Sequence, residues 1–155
     1  MFDDLKELLS VFNEHGVKYL IVGGYAVSFH AQPRATKDLD LFIKADLENA
    51  TIARNALISF GAPLSNISAS DLANPLNFIR FGREPLAVDI LPRIDGVDFD
   101  EAWEHRVVGL IDKASGLTAL FISKEDLVAA KLASGRMRDL ADVEEIRAAS
   151  QDNLA

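Results

Sequence analysis

The chain has 155 residues, enough to bury one hydrophobic core without disulfides or a structural metal, and the expectation is a single domain over 1–155. Its composition, 49% hydrophobic and 26% charged, is that of a soluble globular protein, and its longest apolar runs, such as Tyr19 to Val22, are strand-sized rather than membrane-spanning. A net charge of -8 argues against a broad basic nucleic-acid face, so any polyphosphate must be met by local cations or metal ions. The lack of cysteine excludes disulfides and thiolate metal sites, and Asp3 and Asp4 stand where a secretory signal would be basic, so a cytoplasmic location with no membrane partner is expected.

In chain order, Asp3 to His15 reads as an amphipathic helix, with Leu5, Leu8, Leu9 and Phe12 at helical spacing and Gly16 as its stop. Val17 to Val22 is a short strand broken by Gly23-Gly24, and Tyr25 to Ala31 is a short helix before Pro33. Leu39 to Ile43 is a second strand. Asp46 caps a helix whose buried stripe is Ala53, Ala56, Leu57 and Phe60 and which ends at Gly61. Residues 63–75 read as a surface loop. Asn77 to Phe81 and Leu86 to Leu91 are strands joined through Gly82-Arg83-Glu84-Pro85 in an antiparallel hairpin. Phe99 to His105 holds a helical turn, and Asp98-Phe99-Asp100 reads as a solvated loop. Two further strands, Arg106 to Ile111 and Leu117 to Ile122, precede a helix that starts in the capping-box-like Ser123-Lys124-Glu125-Asp126 and runs through Ala133. Met137 to Ala149 is the last helix. Such a mixture with at least one hairpin indicates an α+β or mixed α/β fold.

Chemistry concentrates in two places. Side chains alternate along a strand, so Asp38 and Asp40 project together while Leu39, Leu41 and Ile43 pack the other way. Two adjacent carboxylates repel each other unless a cation lies between them, and hard oxygen donors suit magnesium completed by substrate phosphates. Asp89 is a third carboxylate, inside the apolar run Leu86 to Leu91. If its strand neighbours that of Asp38 and Asp40, the three define a two-metal site for in-line phosphoryl displacement. Gly23-Gly24, at a strand-to-helix turn, lets backbone approach a phosphate, and Arg34 and Lys37 can offset triphosphate charge. Plainer alternatives stand beside these. Asp-x-Asp also describes a solvated strand edge in a chain with 24 acidic residues, and Asp89 also suits an ion pair with Arg80 across the hairpin. His15, His30 and His105 are isolated, and no nucleophile turn, P-loop or dinucleotide fingerprint is present.

Taken together, Gly23-Gly24, Arg34-Ala35-Thr36-Lys37-Asp38-Leu39-Asp40 and Asp89 resemble the DNA polymerase β-like nucleotidyltransferase superfamily. The Arg-x-Thr-x-Asp-x-Asp run and the stretch from Lys124 to Asp142 are similar to the small bacterial nucleotidyltransferases of the AbiEii and MenT toxin group, which includes toxin halves of toxin–antitoxin and phage-defence pairs. The resemblance implies a polymerase β palm-like mixed sheet flanked by helices. It implies that Asp38, Asp40 and Asp89 are catalytic and hold two Mg2+ or Mn2+ ions, and that Gly23, Gly24, Arg34, Thr36 and Lys131 bind the nucleotide. For Lys131 and Arg136, an exposed helix face is the alternative. Because the sequence runs only a few residues past Ala149, no extra helical domain like that of larger members is expected. Acceptor recognition is therefore expected from residues 63–75, from the loop after Leu91 or from a second chain.

The leading expectation is transfer of a nucleoside monophosphate from an NTP such as ATP to a hydroxyl at a tRNA end, on a partner protein or on a small molecule. An antitoxin or other partner chain is a further expectation. The competing reading is a nucleotide-binding regulatory or partner-dependent module with little turnover of its own.

Overall fold

A computed structural model describes residues 1–83 and 86–152. Their elements are α1 (Asp3–His15), β1 (Tyr19–Val22), α2 (Gly23–His30), β2 (Leu39–Ile43), α3 (Leu47–Phe60), α4 (Ala69–Ala73), β3 (Ile79–Arg83), β4 (Leu86–Leu91), α5 (Phe99–Glu104), β5 (Val107–Asp112), β6 (Leu117–Phe121), α6 (Lys124–Ser134) and α7 (Met137–Asp152). β3 and β4 pair antiparallel as expected, but Gly82 and Arg83, read as part of their connection, belong to β3, and Glu84 and Pro85 lie outside the described residues.

The six strands form one mixed sheet in the order β3-β4-β2-β1-β6-β5. β1/β2, β3/β4 and β5/β6 pair antiparallel, whereas β1/β6 and β2/β4 pair parallel. This is the mixed α/β architecture expected, with helices flanking the sheet. β1 and β2 occupy the middle, and Tyr19, Leu20, Ile21, Leu39, Leu41 and Ile43 are fully buried there. α1 turns Leu5, Leu8, Leu9 and Phe12 inward and packs on α3, which in turn packs on α4. On the other flank α6 packs on α7, and α7 reaches α2.

The local stop and start signals act as the sequence indicates. Gly16 and Gly61 take left-handed backbone at the ends of α1 and α3, where a side chain would be strained. Asp46 and Ser123 accept the Asn49 and Asp126 amides at the starts of α3 and α6. Two readings need correction. Residues 63–75 are not plain surface loop: α4 forms inside them, started by a reciprocal capping box between Ser68 and Asp71, and Leu64 and Leu72 are buried. Asp98-Phe99-Asp100 is not a solvated loop either. Asp98 caps α5, Phe99 is buried with its ring edge-on to Phe42, and Asp100 pairs with Lys44 at 2.9 Å. Among the described residues no helix is long and apolar enough to cross a membrane.

Candidate active site

Parallel pairing of β2 with β4 sets Asp40 directly beside Asp89. Asp38, just before β2, lies on the same side of that strand, because Leu39, Leu41 and Ile43 are drawn into the core by their apolar side chains. The three carboxylates thus meet at one edge of the sheet centre. Asp40 is largely buried, and its carboxyl is pushed up to about 7, first by burial, then by a hydrogen bond shared with Asp89 and by the charges of Asp89 and Asp38; Arg80 opposes the rise. Arg80, opposite Asp89 on β3, donates through Nη1 to both Asp89 oxygens at 3.2 and 2.9 Å, and through Nη2 to Asp38 Oδ2 at 3.2 Å. The ion pair across the hairpin is therefore formed, and it extends to Asp38. The other oxygen of Asp38, Oδ1, is buried with no hydrogen-bond partner, which is costly for a carboxylate.

Gly23 and Gly24 open α2 rather than precede it. Gly23 has φ 66°, and a Cβ there would overlap the Asp40 carboxylate; a Cβ on Gly24 would press on Thr36. The glycines hence allow α2 to start against the acidic strand. Gly23→Ala is expected to cost about 1–3 kcal/mol, from left-handed backbone and displacement of Asp40. Gly16→Ala, at a similar φ with no atom within 4 Å, should show only the backbone part. Urea melts of the two variants side by side check this.

The cations expected at the nucleotide form a second cluster. Arg34 Nη1 donates to Asp142 Oδ1 at 2.8 Å, and Lys131 Nζ lies 2.9 Å from Asp142 Oδ2 and 3.3 Å from Asp139 Oδ1. Arg136 Nε and Ser134 Oγ both donate to Asp139 Oδ2 at 2.8 Å. Asp139 and Asp142 are buried, one turn apart on α7, so this helix fastens the segment before β2 to α6. Thr36 Oγ1 donates to the Arg34 carbonyl at 3.4 Å, and Tyr25 donates to the Thr36 carbonyl at 3.0 Å, which shapes the turn from Arg34 to Asp38.

Both clusters face one cleft of two adjoining parts. The polar part, about 530 Å³, contains Gly23, Gly24, Arg34, Lys37, Lys131 and the three carboxylates. Six cationic and five acidic side chains line it among the described residues, so it is close to neutral in a chain of charge -8. The second part, about 520 Å³, continues past Asp40 and Asp89 to Phe78, Leu91, Ile94 and Leu127. Every residue expected at the site is thus brought to this cleft: Asp38, Asp40, Asp89, Gly23, Gly24, Arg34, Thr36 and Lys131. The histidines stay apart from it: His15 contacts the Val11 carbonyl, His30 the Ile122 carbonyl and His105 the Asp126 carboxylate. Among the described residues no three His, Cys, Asp or Glu side chains form a closed metal-binding group in this conformation. The donor chemistry nevertheless fits a hard divalent cation, since Asp38 Oδ1 is an orphaned oxygen beside two further carboxylates.

Sequence reasoning missed the roles of Asp139 and Asp142 as acceptors for Arg34 and Lys131. The available signal was two aspartates three apart on a helix whose neighbours Val143 and Ile146 are core residues.

Residues 1–154 match the family described as "Nucleotidyltransferase of unknown function (DUF6036)". No curated protein matches the sequence. Among solved structures, the lincosamide antibiotic adenylyltransferase LnuA bound to lincomycin aligns with a TM-score of 0.54 and 16% identity, covering 95% of this chain and 96% of that one. An antigenic nucleotidyltransferase-like protein from Paracoccidioides brasiliensis aligns with a TM-score of 0.53 and 19% identity, covering 93% of this chain and 75% of that one. At these identities the likeness is one of fold.

Proposed function

The chain belongs to this family of nucleotidyltransferases, and from that premise we propose that it transfers a nucleoside monophosphate from an NTP to a hydroxyl acceptor, with release of pyrophosphate. The observation that carries the reading is the meeting of Asp38, Asp40 and Asp89 at paired parallel strands, with one Asp38 oxygen buried and unpaired. In this reading the three aspartates hold Mg2+ or Mn2+. The bound ions supply Lewis acidity and neutralise charge on the triphosphate.

The protein's own groups do the rest. Gly23 and Gly24 admit the phosphates close to backbone, and Lys131 and Arg34, held in place by Asp142, face the same space. The acceptor oxygen forms its bond to the α-phosphorus as the bond from that phosphorus to the α,β-bridging oxygen breaks, and the Asp40/Asp89 pair accepts the hydroxyl proton. The near-neutral lining of the polar part allows a triphosphate to enter despite the acidic chain.

For the acceptor, the resemblance of Arg34 to Asp40 and of Lys124 to Asp142 to the AbiEii/MenT group supports a tRNA end or a protein hydroxyl, in a toxin-like role restrained by a partner chain. A small-molecule hydroxyl is the second reading. The second part of the cleft, which runs past Asp40 and Asp89 to Phe78, Leu91, Ile94 and Leu127, favours it, and LnuA bound to lincomycin is of similar fold. The chain is proposed to act as one domain over 1–155.

The test incubates purified protein and Mg2+ with each α-labelled NTP, offering total tRNA, a cell protein extract or a panel of small hydroxyl compounds as acceptor. Label carried by wild type and lost in Asp38→Ala/Asp40→Ala is the expected result, and the labelled fraction names the acceptor class. Absence of transfer in every arm, from protein shown to bind Mg2+–nucleotide, would replace this reading with the partner-dependent module.

A further inference from the structure

Arg80 reaches the acidic cluster from edge strand β3, opposite Asp89. Its guanidinium grips both oxygens of Asp89 and one of Asp38, while its side chain remains 49% exposed toward the polar part of the cleft. A planar fork of donors suits this span across two carboxylates, which a point charge such as an ammonium cannot reproduce. Two of the three carboxylates proposed to hold metal are thereby already served by a positive charge, and half-exposed ion pairs of this kind exchange at small cost. We propose that Arg80 is a resident counter-cation that competes with the divalent ion for Asp38 and Asp89. Metal alone is then held weakly, and the pair is given up when metal arrives together with nucleotide. The inference rests on the metal-dependent reading above.

Mn2+ binding without nucleotide, followed by electron paramagnetic resonance of the free ion, tests it. Arg80→Gln is expected to bind Mn2+ roughly two- to fivefold more tightly than wild type, the range that a half-exposed ion pair can supply. Its melting temperature should be lower than wild type without metal and should rise further on adding Mn2+. Arg80→Lys, which keeps the charge and guards against a folding defect in the glutamine variant, should lie between the two. Equal or weaker Mn2+ binding by Arg80→Gln overturns the inference and leaves the metal site standing. Failure of wild type and both variants to bind Mn2+, with Asp38→Ala indistinguishable from them, overturns the inference and the metal reading together.

Discussion

Asp40→Asn is expected to reduce nucleotidyl transfer by about 10²–10³-fold or more while raising the melting temperature of the metal-free protein. Asp40 is largely buried beside Asp89 and near Asp38, so its ionised form is opposed by burial and by two like charges, and its carboxyl stands at about 7 rather than 3.8. A folded-state pKa above the unfolded value means that the stabilising proton is fully in place below about pH 4 and is lost as pH rises through 7. The asparagine keeps a neutral hydrogen-bonding group at every pH. Its advantage should therefore be absent at pH 4, grow between 4 and 7, and level off above. After allowance for solvent screening at this partly exposed cluster, the plateau is about 1–3 kcal/mol, or several degrees in a domain of this size. Melting curves at pH 4.5 and 8, with initial rates at pH 8, check both halves. A variant that loses activity with no gain in melting temperature at pH 8 would show that the acidic cluster is not strained.

The second large effect concerns stability. Asp142→Ala is expected to destabilise the fold by about 2–4 kcal/mol, because it removes a buried carboxylate that binds two cations at once. Asp142 is 3% exposed; its two oxygens take Arg34 at 2.8 Å and Lys131 at 2.9 Å. Burial opposes its ionisation, yet the hydrogen bonds and charges of Arg34 and Lys131 outweigh that and hold the carboxyl below its usual range. A depressed folded-state pKa gives stability that is present above 3.8 and is lost as pH falls through the lower folded value. Wild type should therefore exceed the alanine variant by the full margin at pH 7 and by less near pH 3, as read from urea midpoints. With the partner gone, Lys131 and Arg34 are no longer fixed toward the cleft, and the KM for NTP should rise more than kcat falls.

Much of the cleft was legible because its signals are local. Alternation along Leu39 to Ile43 puts Asp38 and Asp40 on one side whatever the strand's neighbours, and the apolar residues between them leave no other choice. The Gly23-Gly24 break, the Asp46 and Ser123 caps and the β3/β4 hairpin are likewise decided within a few residues of chain. The α4 turn escaped notice because small polar residues serve equally in loops and in short capped helices. Its formation depends on burial of Leu64 and Leu72 in the core. Asp98-Phe99-Asp100 misled for a related reason: its acids are soluble-looking, but Phe99 has an aromatic partner, Phe42, far away in sequence.

The sequence by itself determined the acidic strand and the glycine turn at its side, each from periodicity or spacing inside one segment, while the mixed α/β class came from the succession of elements and the family resemblance from motifs spread between Gly23 and Asp142. Only the tertiary structure decided that Asp89 lies beside Asp40, since parallel strand pairing has no hairpin to set its register. Only it decided that Arg80 spans Asp38 and Asp89 rather than pairing with Asp89 alone, and that Asp142 joins Arg34 across 108 residues of chain. The spacing of Asp139 and Asp142 beside core positions marks them as inward-facing, but which cations they meet has no local signature, because the partners are selected by the packing of α7 against α6 and α2, which depends on the whole core.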